Sequence, residues 1–373
     1  MAGSGMKLLF NGKEAFPEIL RCIDEARESI YINMFIWRND SIGRDIARAV
    51  LDAANRGVDV TISKDRYGCI CELCEENRQS FFHHDISAGE RIKIKALEYI
   101  YNRDLLKEKR EDIEDPLLGM LRAHPGVHIL DEVNKYDHSK YYIFDRKILI
   151  FGGINIEDKE LYEDRKGREY SDYMVKLTGE EYVKEFLGRS LGKMQGSRSI
   201  FRMNVKKPVR IFELEDAFLE LIKRAEKELT IVMAYFSPLP EFMDDIKEAA
   251  GRGVRIKLVI PSLANFTDDT NKRTVRKLMK LCGGNISVWL SPKMLHAKLL
   301  MSEKEIILGS CNITKKAFHQ LDELDLCIER EGSGLEEQVE ESVRKIIEES
   351  ARVDGDSPPP YSRMLAAFEG ILM

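Results

Sequence analysis

The chain has 373 residues, of which 33% are charged and 43% hydrophobic, with a formal net charge of −6 and a pI near 5.8. That length supports two domains, or one large duplicated one, with an ample core; the acidic balance argues against a nucleic-acid-coating surface, so no nucleic acid is expected as a partner. Seven cysteines, an odd number, and the lack of an N-terminal apolar export segment suit free thiols in the reducing cytoplasm, and no window reaches the ~18 apolar residues of a membrane span.

Residues 1–5 read as a short leader ahead of Met6. Glu14 to Arg27 places Phe16, Ile19, Leu20, Ile23 and Ala26 at helical spacing. Ile30 to Trp37 is a nearly unbroken β-prone apolar run, the pattern of a strand covered on both faces. After the capping cluster Asn39-Asp40-Ser41, Ile42, Ile46, Val50 and Ala53-Ala54 mark a second helix that stops at Gly57, and Val58, Val60 and Ile62 form the next strand. Strand, helix and strand in that order make a βαβ unit, which predicts an α/β fold with a mainly parallel sheet.

Between Arg66 and Pro116 the chain carries Cys69, Cys71, Cys74, His83 and His84. Thiolates and imidazoles are the usual zinc ligands, but Cys-x-Cys-x2-Cys is not a zinc-finger spacing. Ile70, Leu73, Cys74, Asn77 and Phe81 also fit a helix with small cysteines on its inner side, so the segment is expected to pack and to hold no metal. Lys107 to Asp115 is a mixed-sign charge run, the pattern of a solvated helix end, with a lid over a site as the other reading.

His138-Ser139-Lys140 opens the stretch that carries chemistry. Tyr141 to Phe144 are β-formers, so His138 and Lys140 share one face of a strand and set a titratable nitrogen beside a fixed charge. Asp145-Arg146-Lys147 breaks the run as a turn would, and Ile148 to Phe151 returns as a hairpin to Gly152-Gly153-Ile154-Asn155 beside the histidine. Glycine permits close backbone approach to a ligand, and an asparagine NH₂ can donate to a phosphoryl oxygen.

From Leu177 to Asn204 the chain passes Gly179, Gly188, Gly192 and Gly196-Ser197, a plausible connection between halves. The pattern then repeats: Asp216-Ala217-Phe218 echoes Glu14-Ala15-Phe16, Leu229 to Phe236 echoes the first strand, and Ala249-Ala250-Gly251-Arg252-Gly253-Val254 echoes Ala53-Ala54-Asn55-Arg56-Gly57-Val58. His296-Ala297-Lys298 with Gly309-Ser310-Cys311-Asn312 is a second copy of the motif, with 16 positions from His296 to Asn312 against 17 from His138 to Asn155. Gly57 and His138 are 81 positions apart but Gly253 and His296 only 43, so the first half holds an insertion of about 38 residues. Past Ser357-Pro358-Pro359-Pro360, the stripe Met364, Leu365, Phe368, Ile371, Leu372 and Met373 suits a terminal helix docked on the body, or a bilayer contact. A lone His-x-Lys is a weak signal; two copies at matched spacing are a strong one.

At these residues the chain resembles the phospholipase D superfamily, whose signature H-x-K-x4-D-x6-G-[SG]-x-N occurs twice. The first copy matches throughout, with His138, Lys140, Asp145, Gly152-Gly153 and Asn155. In the second, Glu303 stands where Asp is expected, and five residues separate it from Gly309. Asn11-Gly12-Lys13-Glu14-Ala15-Phe16, Ile30 to Trp37, Ile42-Gly43 and Arg56-Gly57-Val58 look like the bacterial cardiolipin synthase branch. The resemblance implies an α/β, internally duplicated phospholipase D-like fold: two mixed, mainly parallel sheets flanked by helices, related by a pseudo-twofold axis and sharing one active site. It divides the chain into a half at 6–200 with an insertion around 66–116, a half at 201–356, and a tail at 357–373.

Transfer at a phosphodiester needs cations around the phosphoryl oxygens, a nucleophile and a proton donor. The residues alone do not order the two histidines. The resemblance implies His138 as the nucleophile that forms a phosphohistidine and His296 as the general acid, with Lys140, Lys298, Asn155, Asn312, Gly153 and Ser310 around the phosphate. It also implies that Asp172 and Glu323 fix the histidine tautomers, with no cofactor and no metal. The implied activity is a phosphatidyltransferase that makes cardiolipin from two phosphatidylglycerols; with water as acceptor it is a phospholipase D. The implied partners are a phospholipid and a membrane surface met peripherally, and the sequence carries no signal for an oligomeric state. A metal-independent nuclease is the competing class, disfavoured by two motifs in one chain, and a scaffold without chemistry is disfavoured by intact His and Lys in both copies.

Overall fold

Apolar strands alternate with helices that are apolar on one side, and each sheet therefore buries both faces. The computed structural model describes residues 5–75, 79–83, 85–101, 115–131, 136–194, 199–332, 334–355 and 357–372. The first part runs β1 (Met6–Phe10), α1 (Gly12–Glu25), β2 (Ser29–Met34), α2 (Ser41–Asn55), β3 (Asp59–Lys64), α3 (Gly68–Cys74), α4 (Ala88–Tyr101), α5 (Pro116–Ala123), β4 (Val127–Leu130), β5 (Lys140–Phe144), β6 (Ile148–Gly152), β7 (Tyr170–Ser171), β8 (Tyr173–Thr178) and α6 (Glu180–Ser190). The second runs β9 (Phe201–Val205), β10 (Ile211–Phe212), α7 (Leu214–Arg224), β11 (Glu228–Met233), β12 (Phe236–Ser237), α8 (Pro240–Gly251), β13 (Arg255–Pro261), α9 (Asp268–Cys282), β14 (Ile286–Ser291), β15 (Met294–Leu295), β16 (Lys298–Ser302), β17 (Glu305–Gly309), β18 (Ile313–Thr314), α10 (Lys315–His319), β19 (Glu323–Glu329), α11 (Leu335–Glu348), β20 (Ala351–Arg352) and α12 (Arg363–Leu372).

Among the described residues the main sheets have the orders β1-β8-β6-β5-β2-β3-β4 and β10-β9-β19-β17-β16-β11-β13-β14-β20. The second repeats the first strand for strand from β9 to β14, the physical form of the duplication. Both sheets are mixed, as expected for the fold, but antiparallel pairs predominate over the parallel ones foreseen. Parallel pairing joins β2 to β3 and β3 to β4 in one sheet, and β11 to β13 and β13 to β14 in the other. The βαβ units supply these pairs. The hairpins β5–β6 and β16–β17, closed by short turns, can pair only antiparallel, and β8 and β19 extend them the same way.

The inner faces of the two sheets meet in a core that includes Phe151, Val175, Leu299 and Leu308. Helices α1, α2 and α5 close the outer face of the first sheet, and α7, α8 and α9 that of the second. The layers are helix, sheet, sheet, helix, and the ends of the central strands come together at the seam.

The acids of the two hairpin turns do the same work. Asp145 accepts the backbone N–H groups of Arg27, Glu28 and Ser29, and Glu303 those of Glu226, Lys227 and Glu228. A glutamate, longer by one methylene, replaces the aspartate in a turn shorter by one residue, so the departure from the motif preserves its contacts.

In the insertion, α3 ends at Cys74, and Phe81 packs on Trp37 with ring centroids 5.9 Å apart instead of continuing that helix. Asn77, His84, Gly196-Ser197, Met373, the leader up to Ser4 and the charge run up to Glu114 lie outside the described residues; Asp115, its last member, caps α5 through Leu117 N at 2.9 Å. The C-terminal stripe forms α12, which docks on α9: Thr270 N donates to Glu369 Oε2 at 2.8 Å and Thr270 Oγ1 to the Ala366 carbonyl at 3.1 Å. Among the described residues no helix is long and apolar enough to cross a membrane.

Candidate active site

His138 and His296 each stand just before a central strand, β5 or β16, with Lys140 and Lys298 as the first strand residues. At i and i+2 each lysine folds back to donate to the backbone carbonyl of its own histidine. The strands after the motifs cross the seam to reach the opposite half. His138 N donates to the Asp322 carbonyl at 2.8 Å; His296 N donates to the Ser171 carbonyl at 2.8 Å. Short parallel bridges, Asp137 with Asp322 and β15 with β7, fix the two junctions.

This crossing sets the histidine partners. His138 Nδ1 lies 3.0 Å from Glu323 Oε1, and His296 Nδ1 lies 2.7 Å from Asp172 Oδ2. Each imidazole thus pairs with a carboxylate from the other half, and its Nε2 is left for chemistry. The two histidines, two lysines and two acids lie near enough to act on one another electrostatically. The expectation did not contain the exchange of acids between halves.

Asn155 and Asn312 are also buried at the seam, 3% and 5% exposed. Asn312 Oδ1 accepts from Tyr235 N at 3.3 Å, whereas Asn155 Oδ1 has no partner among the described residues. Ser310 Oγ donates to Glu323 Oε2 at 2.5 Å and so braces the acid behind His138. Gly153 is a glycine for a reason other than ligand approach: a Cβ there would lie 2.3 and 2.4 Å from the two Asp172 oxygens. Asn11, in the segment that resembles the synthase branch, holds the same acid by accepting from Asp172 N at 3.2 Å.

Burial dominates the electrostatics of the site. It pushes His138 well below its ordinary value and His296 down to about 4, and the nearby lysines push the same way. Burial lowers Lys140 to about 8 and also lowers Lys298. It raises Glu323 to about 8, so the His138–Glu323 pair keeps an extra proton at neutral pH. At Asp172 burial pulls upward, but Lys298 and the His296 hydrogen bond outweigh it and the net direction is down. Buried lysines beside both histidines suit the binding of an anion.

Several side chains at the site were not foreseen. Phe35 packs edge-on against His138 at 4.8 Å between centroids, and Tyr235 and Tyr170 flank His296 at 5.8 and 6.3 Å. Lys316 adds a cation near His138 and donates to Tyr67 Oη at 2.9 Å. Phe35 and Tyr235 follow directly on the repeated strands, and that placement was the available signal; Lys316 and Tyr67 carried none.

The fold and the site together define a duplicated protein that sets two histidine–lysine pairs, each backed by a carboxylate, at the junction of its halves. A family model described as "Cardiolipin synthase, PLD-like domain" matches residues 19–187 and 218–348, and the chain belongs to this phospholipase D-like family of enzymes. Among curated relatives, it is 27% identical over 336 residues to cardiolipin synthase B of Shigella flexneri, covering 83% of this chain and 73% of that protein. It is 23% identical over 343 residues to cardiolipin synthase 1 of Bacillus cereus, covering 84% of this chain and 60% of that one. Among solved structures, the phosphatidylserine synthase of Haemophilus influenzae Rd KW20 shares the fold with a TM-score of 0.70 at 14% identity, over 99% of this chain and 93% of the other.

Proposed function

We propose that the protein is a cardiolipin synthase-like phosphatidyltransferase working through a phosphohistidine on His138. Lys140 and Lys298, with Asn155 and Asn312, hold the phosphodiester oxygens. His138 Nε2 attacks phosphorus and the P–O bond to the headgroup breaks; His296, held as imidazolium by Asp172 and the negative charge of the bound phosphodiester, protonates the leaving glycerol oxygen. In the second step the headgroup hydroxyl of another phosphatidylglycerol gives its proton to His296 as its oxygen displaces His138. The balance is two phosphatidylglycerols to one cardiolipin and one glycerol.

One observation favours a lipid over other phosphodiesters. A cavity of about 420 Å³ opens on His138 and Asn312, walled by Phe35, Ile70, Leu97, Leu321 and Phe368. Lys93 and Lys316 also stand in the lining, but most of it is apolar, which supports burial of an acyl chain there. The helices that supply the outer wall expose apolar side chains: Ile92 and Tyr99 on α4 are 71% and 64% exposed, and Met364 and Ile371 on α12 are 76% and 82% exposed. Tyr99 and Phe368 line a common cleft, so the two helices are neighbours, and their exposed apolar side chains support a reading of peripheral membrane contact.

The test is incubation with phosphatidylglycerol vesicles, choline-lipid vesicles and plasmid DNA, each without added metal. The reading requires glycerol release and a four-chain lipid from the first. Free phosphatidic acid without the four-chain lipid would make the protein a phospholipase D, and nicked DNA would make it a nuclease.

A further inference from the structure

We propose that Cys69, Glu72 and His83 form a buried zinc site, independent of the histidine–lysine centre, that fixes the insertion to the first sheet. The Cys69 Sγ, a Glu72 carboxylate oxygen and a ring nitrogen of His83 lie within 4.8 Å of one another. All three residues are buried, at 3%, 0% and 3% exposure. Of the five residues with metal-like density in the sequence, Cys69 and His83 converge, and Glu72 joins them. Cys71 faces the apolar cavity instead, and Cys74 Sγ donates to the Cys71 carbonyl at 3.5 Å.

The hydrogen-bond pattern points to a cation. His83 Nε2 lies 2.8 Å from the Asp131 carbonyl, an acceptor only, so that nitrogen carries the proton and Nδ1 presents a lone pair. His83 Nδ1 and Glu72 Oε2 are both buried without a partner among the described residues. Two buried acceptors without partners on neighbouring residues of one cluster are costly unless a donor or a cation meets them. The other Glu72 oxygen accepts from Trp37 N at 2.7 Å and Lys64 Nζ at 3.0 Å, which fixes the side chain and leaves Oε2 free. Lys64, Arg66, Glu90 and Asp131 are the other charged groups that act on the cluster; the Lys64 ammonium is already bound to the Phe35 and Asp65 carbonyls at 2.7 and 2.8 Å.

One thiol, one imidazole and one carboxylate are a zinc donor set, and a histidine whose second nitrogen donates to a backbone carbonyl is the usual outer support of such a ligand. A water supplies the fourth donor. The ion would join α3 to the His83 segment and, through Asp131, to the end of β4. Because α3 also carries Ile70 and Cys71 of the cavity wall, it would set the shape of that wall.

The full chain, expressed with zinc in the medium and purified without chelator, should carry close to one zinc by elemental analysis. Cys69→Ser and His83→Gln should lose it. Stripped wild-type protein refilled with cobalt should show a thiolate-to-cobalt charge-transfer band that Cys69→Ser lacks; this measurement stands even where a variant folds poorly. Wild-type protein with substoichiometric zinc and no such band overturns the proposal. So does zinc retained at full stoichiometry by both variants.

Discussion

Exchange of acids between the halves makes Asp172→Asn a revealing change, because it alters the N-terminal half but should injure the histidine of the C-terminal half. Asp172 is fully buried, 2.7 Å from His296 Nδ1 and 3.6 Å from Lys298 Nζ. Asparagine keeps the shape and removes the charge, so the imidazolium form of His296 loses its counter-ion while the Lys298 charge remains. Removing the carboxylate behind a catalytic imidazole costs on the order of 10⁴ in turnover in the serine-protease triad, or ~5.5 kcal/mol. A loss of at least ~10³ is expected here for glycerol as the leaving group. A nitrophenolate leaving group needs no proton, so for it the loss should fall below ~10-fold. Glu323→Gln, which unbraces the nucleophile, should slow both substrates alike. The assay is the pre-steady-state burst on matched phosphatidyl esters, with circular dichroism to establish folding. A loss for Asp172→Asn that ignores the leaving group, or a Glu323→Gln loss that follows it, would refute the assignment.

Other outcomes follow from the same geometry. Burial lowers Lys140 to about 8, so its ammonium is present below that pH and lost above it; kcat/KM should fall as pH rises through about 8, and a profile flat to pH ~10, where an ordinary lysine titrates, would contradict this. Gly153→Ala places a methyl group 2.3 Å from an Asp172 oxygen. It should turn the acid off His296, reproduce the leaving-group dependence of Asp172→Asn, and lower stability by ~1–3 kcal/mol in a denaturant titration. Joint replacement of Met364 and Ile371 by Asp should weaken co-sedimentation with phosphatidylglycerol vesicles and leave turnover of a short-chain soluble ester unchanged. Equal loss in both assays would place α12 in the chemistry instead of at the membrane.

What the sequence disclosed and what it withheld follow from how far each contact reaches. The histidine–lysine pairs, their glycine–asparagine returns and the turn acids Asp145 and Glu303 are local patterns, set by strand period and hairpin length, and the repeat at matched spacing exposed the duplication. The partners of the histidines are not local: His138 meets Glu323 across 185 positions and His296 meets Asp172 across 124. Residue spacing could place an acid after each motif but could not show that the acids are exchanged. The parallel character of the sheets was overread because the conspicuous βαβ units supply only the pairs β2–β3, β3–β4, β11–β13 and β13–β14, whereas the hairpins and the strands that flank them pair antiparallel. Helical periodicity ran past Cys74 toward Phe81 because Phe81 is apolar for another reason, its packing on Trp37. Glu72 was invisible as a partner of Cys69 and His83, since a buried glutamate looks like a surface one in sequence.

In the proposed mechanism one pocket, built from both halves, uses His138 as its covalent nucleophile and His296 as its proton donor. Mixing enzyme with a nitrophenyl phosphatidyl ester, quenching in base within the first turnover and mapping the adduct by mass spectrometry tests it directly. A phosphatidyl group is expected on the peptide holding His138, lost in His138→Ala and accumulating in His296→Ala, where the acceptor is no longer deprotonated. An adduct on the His296 peptide, or turnover that survives His138→Ala, would contradict it.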